Sequence, residues 1–89
     1  MKVLVWKSYG DIGVYCIDTN EQLSRMVQMM IDCVDGWGLE AEVLKAQADL
    51  KDGDNRPNLL RAYRTIHNAV YESGHESFED IFITDVIEK

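Results

Sequence analysis

KVLVWKS (residues 2–8) is an apolar stretch rich in β-branched and aromatic residues, and IGVYCID (residues 12–18) is a second stretch of the same kind. Such residues favour strands, where their side chains pack well on a pleated surface. Only Tyr9, Gly10 and Asp11 separate the two stretches, and Gly10 can adopt a positive φ angle without strain. The sequence therefore predicts a tight β-hairpin over residues 2–18.

Both faces of this hairpin are apolar. If the strands pair symmetrically about Gly10 and Asp11, one face carries Val3, Val5, Val14 and Cys16, and the other carries Leu4, Trp6, Tyr15 and Ile17. A three-stranded sheet with helices on one side normally shows polar residues on its other side. Either a helix covers the second face, or that face meets a partner or a second copy of the chain. We favour an interface, because exposed apolar patches are rare on monomers.

The segment after the hairpin has helical periodicity. Thr19 and Gln22 have the spacing of a capping box, with an alternative pair one position earlier. Apolar residues then recur at helical intervals as far as about Asp35: Leu23, Met26, Val27, Met30, Ile31 and Val34. We expect this first helix to end at Gly36.

Two further helices and a strand complete the pattern. Apolar spacing indicates a helix over about residues 39–51 and another from Pro57 to about Ser73, which Gly74 ends. The two helices share one apolar spacing, as expected of an antiparallel pair: Leu39, Val43, Ala46 and Leu50, then Leu59, Tyr63, Ile66 and Val70. Residues 78–87 are typical of a strand. The order β-β-α-α-α-β predicts an α+β fold in which a three-stranded antiparallel sheet packs against a layer of helices.

Length and composition limit the class of protein. Eighty-nine residues suit one domain spanning residues 1–89, and a chain that is 46% hydrophobic and 28% charged is typical of soluble globular proteins. No apolar run reaches the roughly 20 residues of a membrane span, and residues 1–15 lack the apolar length and cleavage site of a secretory leader. Because Cys16 and Cys33 are best interpreted as reduced thiols, we expect a cytoplasmic protein.

The stretch YESGHESFEDIFITDV (residues 71–86) comes closest to an active or metal site, because it holds His75 among several carboxylates. Gly74 ends the preceding helix, however, so His67 and His75 do not share one helix face. A zinc site needs three or four converging ligands, and the DGDN loop lacks the glycine and glutamate spacing of a calcium loop. We therefore predict no metal site, cofactor or catalytic residue, and interpret His75 as a contact residue.

The acidic residues are the stronger signal. The net charge of −7 is concentrated in residues 31–54 and 72–89, and a basic segment without acids lies between them. We expect the arginines of that segment to pair with the second helix or the last strand. The excess charge disfavours nucleic acid and membranes and favours a protein partner with a basic surface. We predict these contact residues: Trp6, Tyr15, Trp37, His75, Glu76, Glu79, Asp80 and Phe82. The apolar sheet face also predicts a homodimer.

In size, acidity and lack of catalytic motifs, the chain resembles the small proteins of phages and mobile elements, such as anti-CRISPR proteins. Many anti-CRISPR proteins block nucleic-acid-binding surfaces of their targets, so the resemblance implies a non-enzymatic inhibitor or accessory protein. It matches no motif and assigns no residues. Two alternatives remain open. One is a ligand-binding protein or enzyme with a pocket at the third helix formed by Tyr63, Arg64, His67 and Tyr71, and the other is an architectural subunit of a complex.

Overall fold

The computed structural model describes residues 1–8, 10–52, 55–74 and 80–86. Its elements are β1 (Lys2–Ser8), β2 (Asp11–Cys16), α1 (Asn20–Cys33), α2 (Glu40–Asp52), α3 (Arg56–Ser73) and β3 (Asp80–Asp85). Both β2 and β3 pair antiparallel with the central β1, which gives the strand order β2-β1-β3. The predicted α+β fold and element order are confirmed. Positions 78, 79 and 87 of the predicted last strand lie outside the described residues.

The hairpin has the two faces that the sequence predicts, but its pairing is centred one residue earlier and β2 ends before residue 17. Val5 pairs with Val14, whereas symmetry about Gly10 and Asp11 would have paired it with Cys16. Gly10 has a φ angle of 84°, which glycine adopts without strain in a tight turn. Each side chain stays on its predicted face, because the register moves by an even number of residues.

The capping box at the start of α1 is present. The Thr19 side chain accepts a hydrogen bond from the Gln22 backbone N–H (3.1 Å), and the Gln22 side chain accepts one from the Thr19 backbone N–H (2.9 Å). Every residue of the predicted apolar stripe is buried. The helix ends at Cys33 with Val34 as its C-cap, slightly before the expected end at Asp35.

Of the other two helices, α3 is the better buried. Asn55 caps it by accepting a hydrogen bond from the Asn58 N–H (3.0 Å), and Gly74 ends it with a φ angle of 61°. All of its predicted apolar residues are buried. Among those predicted for the second helix, Ala46 is buried, and the rest are half-buried at the margin of the core: Leu39, Val43 and Leu50. Because α3 contacts both α1 and α2, it is the central helix of the layer.

The helices pack on one face of the sheet. Leu4, Ile17 and Ile81 form a single core with buried residues of the three helices, and Trp6 and Ile83 pack against that core. The residues on the opposite face lie outside this core, although Val3 and Val5 are buried: Val3, Val5, Val14, Cys16, Phe82 and Thr84. The described chain measures 42 × 35 × 16 Å, the flat shape of one sheet and one helical layer.

Candidate protein-binding surfaces

Strand β2 directs one set of backbone groups away from the sheet. The Ile17 N–H donates to the Lys2 carbonyl oxygen (2.9 Å), so the odd-numbered residues of β2 are the ones hydrogen-bonded to β1. The direction of N–H and C=O groups alternates along an antiparallel strand. The backbone groups of Ile12, Val14 and Cys16 therefore point to the free side of β2. We call these three residues the β2 edge.

The side chains of the β2 edge are exposed although they are apolar. Ile12 is 64% exposed and Val14 is 59% exposed, and both lie on the face away from the helices. Asp11 and Asp18 are exposed at its two ends, and no charged residue lies between them. An uncharged apolar strand with outward backbone groups is the kind of strand that pairs with another chain.

Gly13 and Tyr15 lie on the helix-facing side of β2 and fit each other. A Cβ atom on Gly13 would lie 2.6 Å from Cε2 and Oη of Tyr15, so the tyrosine ring covers the glycine. A glycine within a strand often marks such a close approach. Tyr15 remains 37% exposed, so this predicted contact residue does reach the surface.

Strand β3 differs because side chains bond to the outward backbone groups of one of its residues, Ile81. Met1 and Val86 exchange backbone hydrogen bonds, so the odd-numbered residues of β3 point outward. The Ile81 N–H donates to Asp80 Oδ1 (2.8 Å), and the Ile81 carbonyl oxygen accepts a hydrogen bond from His67 Nε2 (3.1 Å). The Ile81 side chain is fully buried. We call Ile81 with Asp80 and His67 the closed edge.

A column of rings on α3 supports the closed edge. The ring centroids of Tyr63 and His67 are 5.4 Å apart, and those of His67 and Tyr71 are 4.6 Å apart. The Tyr71 hydroxyl donates a hydrogen bond to Asp80 Oδ1, which raises the pKa of Tyr71 and lowers that of Asp80. Burial raises the pKa of Tyr63 to about 12. These contacts join α3 to β3.

The structure brings together only part of the pocket predicted at the third helix. Tyr63, His67 and Tyr71 lie in one column, but Arg64 lines a separate groove between α2 and α3. Polar atoms of His67 and Tyr71 are bonded to β3, so the column is a contact between helix and sheet. In the groove, Arg61 lies 3.7 Å from an oxygen of Asp49, and this arginine does pair with the second helix as predicted.

Within the described ranges, the predicted contact residues lie in separate places. Trp6 and Trp37 are half-buried and pack against the core. Phe82 is half-buried on the face away from the helices, with Lys7 Nζ 5.7 Å from its ring centroid. Asp80 belongs to the closed edge. Three further predicted contact residues lie outside the described residues: His75, Glu76 and Glu79.

Several basic side chains of the described segments are bound within the molecule. Arg25 lies 2.6 Å from Glu21, and Lys2 lies 3.8 Å from Asp85. Arg56 donates to two backbone carbonyl oxygens in the segment after β2, at 2.7 and 3.4 Å, and not to the second helix or the last strand as predicted. These cations have partners within the molecule, whereas Lys45, Lys51 and Arg64 are exposed and take part in none of the ion pairs of the described residues.

Exposed carboxylates are concentrated where α1 ends and α2 begins. Asp32, Asp35 and Glu40 border a hollow with an apolar floor, and we call these three residues the acidic corner. The floor consists of Ile31, Val34, Leu39 and Val43. No ion pair joins the acidic corner to a lysine or arginine of the described chain. A lysine or arginine from a partner would suit this surface, because its stem packs on apolar groups while its head meets carboxylates.

In the part of the chain that the structure describes, no three His, Cys, Asp or Glu side chains are placed to hold a metal ion. None of the described helices is long and apolar enough to cross a membrane. Comparison with protein-family models, curated proteins and solved structures gave no match.

The residues that define the two edges are largely absent from the sequence-based candidates. Ile12 and Val14 were not among the predicted contacts, because their exposure depends on β2 being an outer strand. The bond between His67 and Ile81 joins residues 14 positions apart and has no local signature. The uncharged run between Asp11 and Asp18 is the one sequence signal that could have indicated the β2 edge.

Proposed function

We propose that the protein is a non-enzymatic binding module whose acidic surface meets a basic surface of a protein partner. The observation that carries this proposal is the uneven use of charge. Basic side chains such as Arg25, Arg56 and Arg61 bind within the molecule, whereas the acidic corner stays exposed in a chain of net charge −7. Such a surface attracts partners with clustered lysines and arginines and repels nucleic acid.

The kind of module that we propose is an inhibitor or accessory protein of a phage or mobile element. Its size, acidity and resemblance to such proteins support this class. A nucleic-acid-binding partner carries the basic surface that an acidic inhibitor would cover. We also propose that the protein acts in the cytoplasm, which its free cysteines Cys16 and Cys33 support, and that it forms a homodimer.

The contact that we propose draws on both acidic blocks of the sequence. The acidic corner supplies one part, and the predicted residues Glu76 and Glu79 supply another. Tyr15 is the exposed aromatic residue among the predicted anchors that the structure describes, so it is the best candidate for an apolar contact. The half-buried Trp6 and Trp37 pack against the core.

The partner can be identified by affinity capture of the tagged protein from its host, with mass spectrometry of the bound proteins. We expect a basic protein that is retained at low salt and released as salt is raised, because screening weakens attraction between opposite surface charges. Binding of the purified pair should show the same dependence on salt. An affinity that does not change with salt would contradict the proposal.

Matched charge variants test which carboxylates contact the partner. Asp35→Asn with Glu40→Gln changes the acidic corner, and Glu76→Gln with Glu79→Gln changes the second block. Each pair should lower the affinity and reduce its dependence on salt. The control is a pair outside both blocks, Asp11→Asn with Glu21→Gln, which makes the same change in net charge. If the control lowers affinity as much as the test variants, overall charge and not a defined surface determines binding.

A further inference from the structure

We propose that the β2 edge pairs antiparallel with the β2 edge of a second copy of the chain, across a two-fold axis at Val14. This inference rests on the proposed homodimer and gives it a geometry. The pairing would join two three-stranded sheets into one continuous sheet. It explains why a strand with exposed Ile12 and Val14 carries no charge along its free side.

The directions of the backbone groups select the register. The three outward-pointing residues of each copy are Ile12, Val14 and Cys16. With the axis at Val14, Val14 faces its counterpart and Ile12 faces Cys16 of the second copy, so every outward N–H and C=O finds a partner. With the axis at Gly13, Cys16 would face Gly10, which lies in the turn and outside the strand. The axis at Val14 therefore makes the most hydrogen bonds.

The side chains and charges are compatible with the same register. On the face away from the helices, the apolar Ile12 and Val14 meet apolar side chains. On the helix-facing side, Gly13 faces Tyr15 of the second copy, and the Tyr15 ring that covers Gly13 within each chain would have to shift to cover the glycine across the axis. Asp11 faces Ile17, so no two carboxylates of the paired strands stand directly opposite each other.

The other outer strand is unsuited to this pairing. In β3, the outward N–H and C=O groups of Ile81 are already bonded to Asp80 and His67. A second chain would have to break both bonds before it could pair at that position. Pairing through β3 is therefore disfavoured at Ile81, and we place the self-association at β2.

The small interface between the two β2 strands limits the affinity of the dimer. β2 is 6 residues long, whereas a standard interface uses about 20–30 residues on each side, so we expect a weak dimer that depends on concentration. Each copy carries a net charge of −7, and the two copies repel each other at low salt. Added salt should strengthen the dimer by screening this repulsion, which is the opposite of its effect on a basic partner.

Disulfide trapping tests the register. In a Cys16→Ser, Cys33→Ser background, Val14→Cys places one thiol of each copy at the axis. Cα atoms of a hydrogen-bonded antiparallel pair are about 5.5 Å apart, which a disulfide spans. Mild oxidation should convert this variant to a covalent dimer. Ile12→Cys in the same background is the matched control, because its two copies would stand about 14 Å apart and should stay unlinked. Restoring Cys16 in that control should allow crosslinking, because Ile12 faces Cys16.

Sedimentation tests the edge without cysteine chemistry. The parent should change from 10.2 kDa towards twice that mass as concentration and salt rise. Val14→Lys places two like charges opposite each other and should weaken the dimer about tenfold or more. The matched control is Thr84→Lys, an exposed position on the same face of β3, which should leave the dimer intact.

Each outcome separates this inference from the proposed function. A parent that stays at 10.2 kDa at every concentration and salt overturns the dimer and its geometry. A dimer that resists Val14→Lys, or that crosslinks equally through Ile12→Cys alone, overturns the β2 pairing and leaves the homodimer standing. Neither result bears on the acidic corner, since its charge variants and the opposite salt response test the basic partner independently.

Discussion

The two outer strands of the sheet have similar sequences and different surroundings. β2 is DIGVYC and β3 is DIFITD, so each has 6 residues and begins with Asp-Ile, and each pairs antiparallel with β1. Yet Ile12 is 64% exposed and Ile81 is fully buried. The difference arises because Ile12 lies on an outer strand at the face away from the helices, whereas Ile81 lies on the face that the helices cover.

The two outer strands also differ in whether side chains bond to their outward backbone groups, as they do at Ile81 of β3. In β3, side chains of Asp80 and His67 bond to Ile81, and the ring column of α3 fixes His67 in place. In β2, the corresponding groups of Ile12 and Val14 point outward beside exposed apolar side chains. Proteins commonly protect one edge in this way, and an unprotected edge is available for association.

Truncating the two isoleucines should give the largest difference between the strands. Ile81→Ala removes a fully buried side chain and should lower the free energy of unfolding by about 2–5 kcal/mol. Ile12→Ala shortens an exposed side chain and should change it by less than about 0.5 kcal/mol. Urea titrations should compare both in a Val14→Lys background, so that loss of the dimer does not contribute. Similar losses would mean that the strands are not as different as their burial indicates.

The sequence predicts the parts of the fold that depend on interactions between neighbouring residues, and it does not predict those that depend on residues far apart in the chain. The capping box of Thr19 and Gln22 and the buried stripe of α1 depend on neighbours within a few residues, so periodicity predicts them. The position of β2 as an outer strand depends on β3, which follows it by more than sixty residues. Both β2 and β3 are outer strands, and the face on which Ile81 lies depends on its pairing with the distant β1, so the same Asp-Ile start gives an exposed residue in β2 and a buried one in β3.

The candidate sites were likewise predictable only where they depend on sequence and not on how distant elements pack. The acidic blocks were visible in the sequence, because net charge needs no structure. The hollow bordered by Asp32, Asp35 and Glu40 needs the angle between α1 and α2, which the sequence does not give. The predicted anchors Trp6 and Trp37 turn out to pack against the core, since aromatic residues suit cores and interfaces alike.

Alkaline pH should lower the free energy of unfolding, because Tyr63 in the ring column beside the closed edge loses its proton. Burial raises the pKa of Tyr63 from 10.0 to about 12. A raised folded pKa contributes stability that is complete below the unfolded pKa and is lost as pH rises towards 12, because the unfolded chain releases its proton first. We expect a loss of about 2 kcal/mol from this group between pH 10 and 12.

Tyr63→Phe isolates this contribution, because it keeps the ring and removes the titrating hydroxyl. Urea titrations at several alkaline pH values should show a smaller decline for Tyr63→Phe than for the parent. Tyr71→Phe is a useful second variant, because the hydrogen bond to Asp80 raises the pKa of Tyr71 as well. An identical decline in the parent and in Tyr63→Phe would show that Tyr63 does not drive the alkaline loss.

Removing His67 should lower the free energy of unfolding less than Ile81→Ala or the ionisation of Tyr63 does. His67→Leu keeps an apolar body beside Tyr63 but removes the hydrogen bond to the Ile81 carbonyl oxygen, so the loss should be about 1 kcal/mol. His67→Gln retains an N–H donor on a flexible side chain and should recover part of that loss. Equal stabilities of the Leu and Gln variants would indicate that the imidazole contributes packing and not a hydrogen bond.

His67→Leu also tests whether β3 can pair with a second chain, when it is combined with Val14→Lys to weaken the dimer through β2. Asp80 still accepts the hydrogen bond from the Ile81 N–H in the absence of the histidine, so one of the two outward groups stays occupied. We therefore expect His67→Leu with Val14→Lys to sediment as a monomer. A dimer in this double variant would show that His67 alone keeps β3 closed, and that either outer strand can pair once its backbone groups are free.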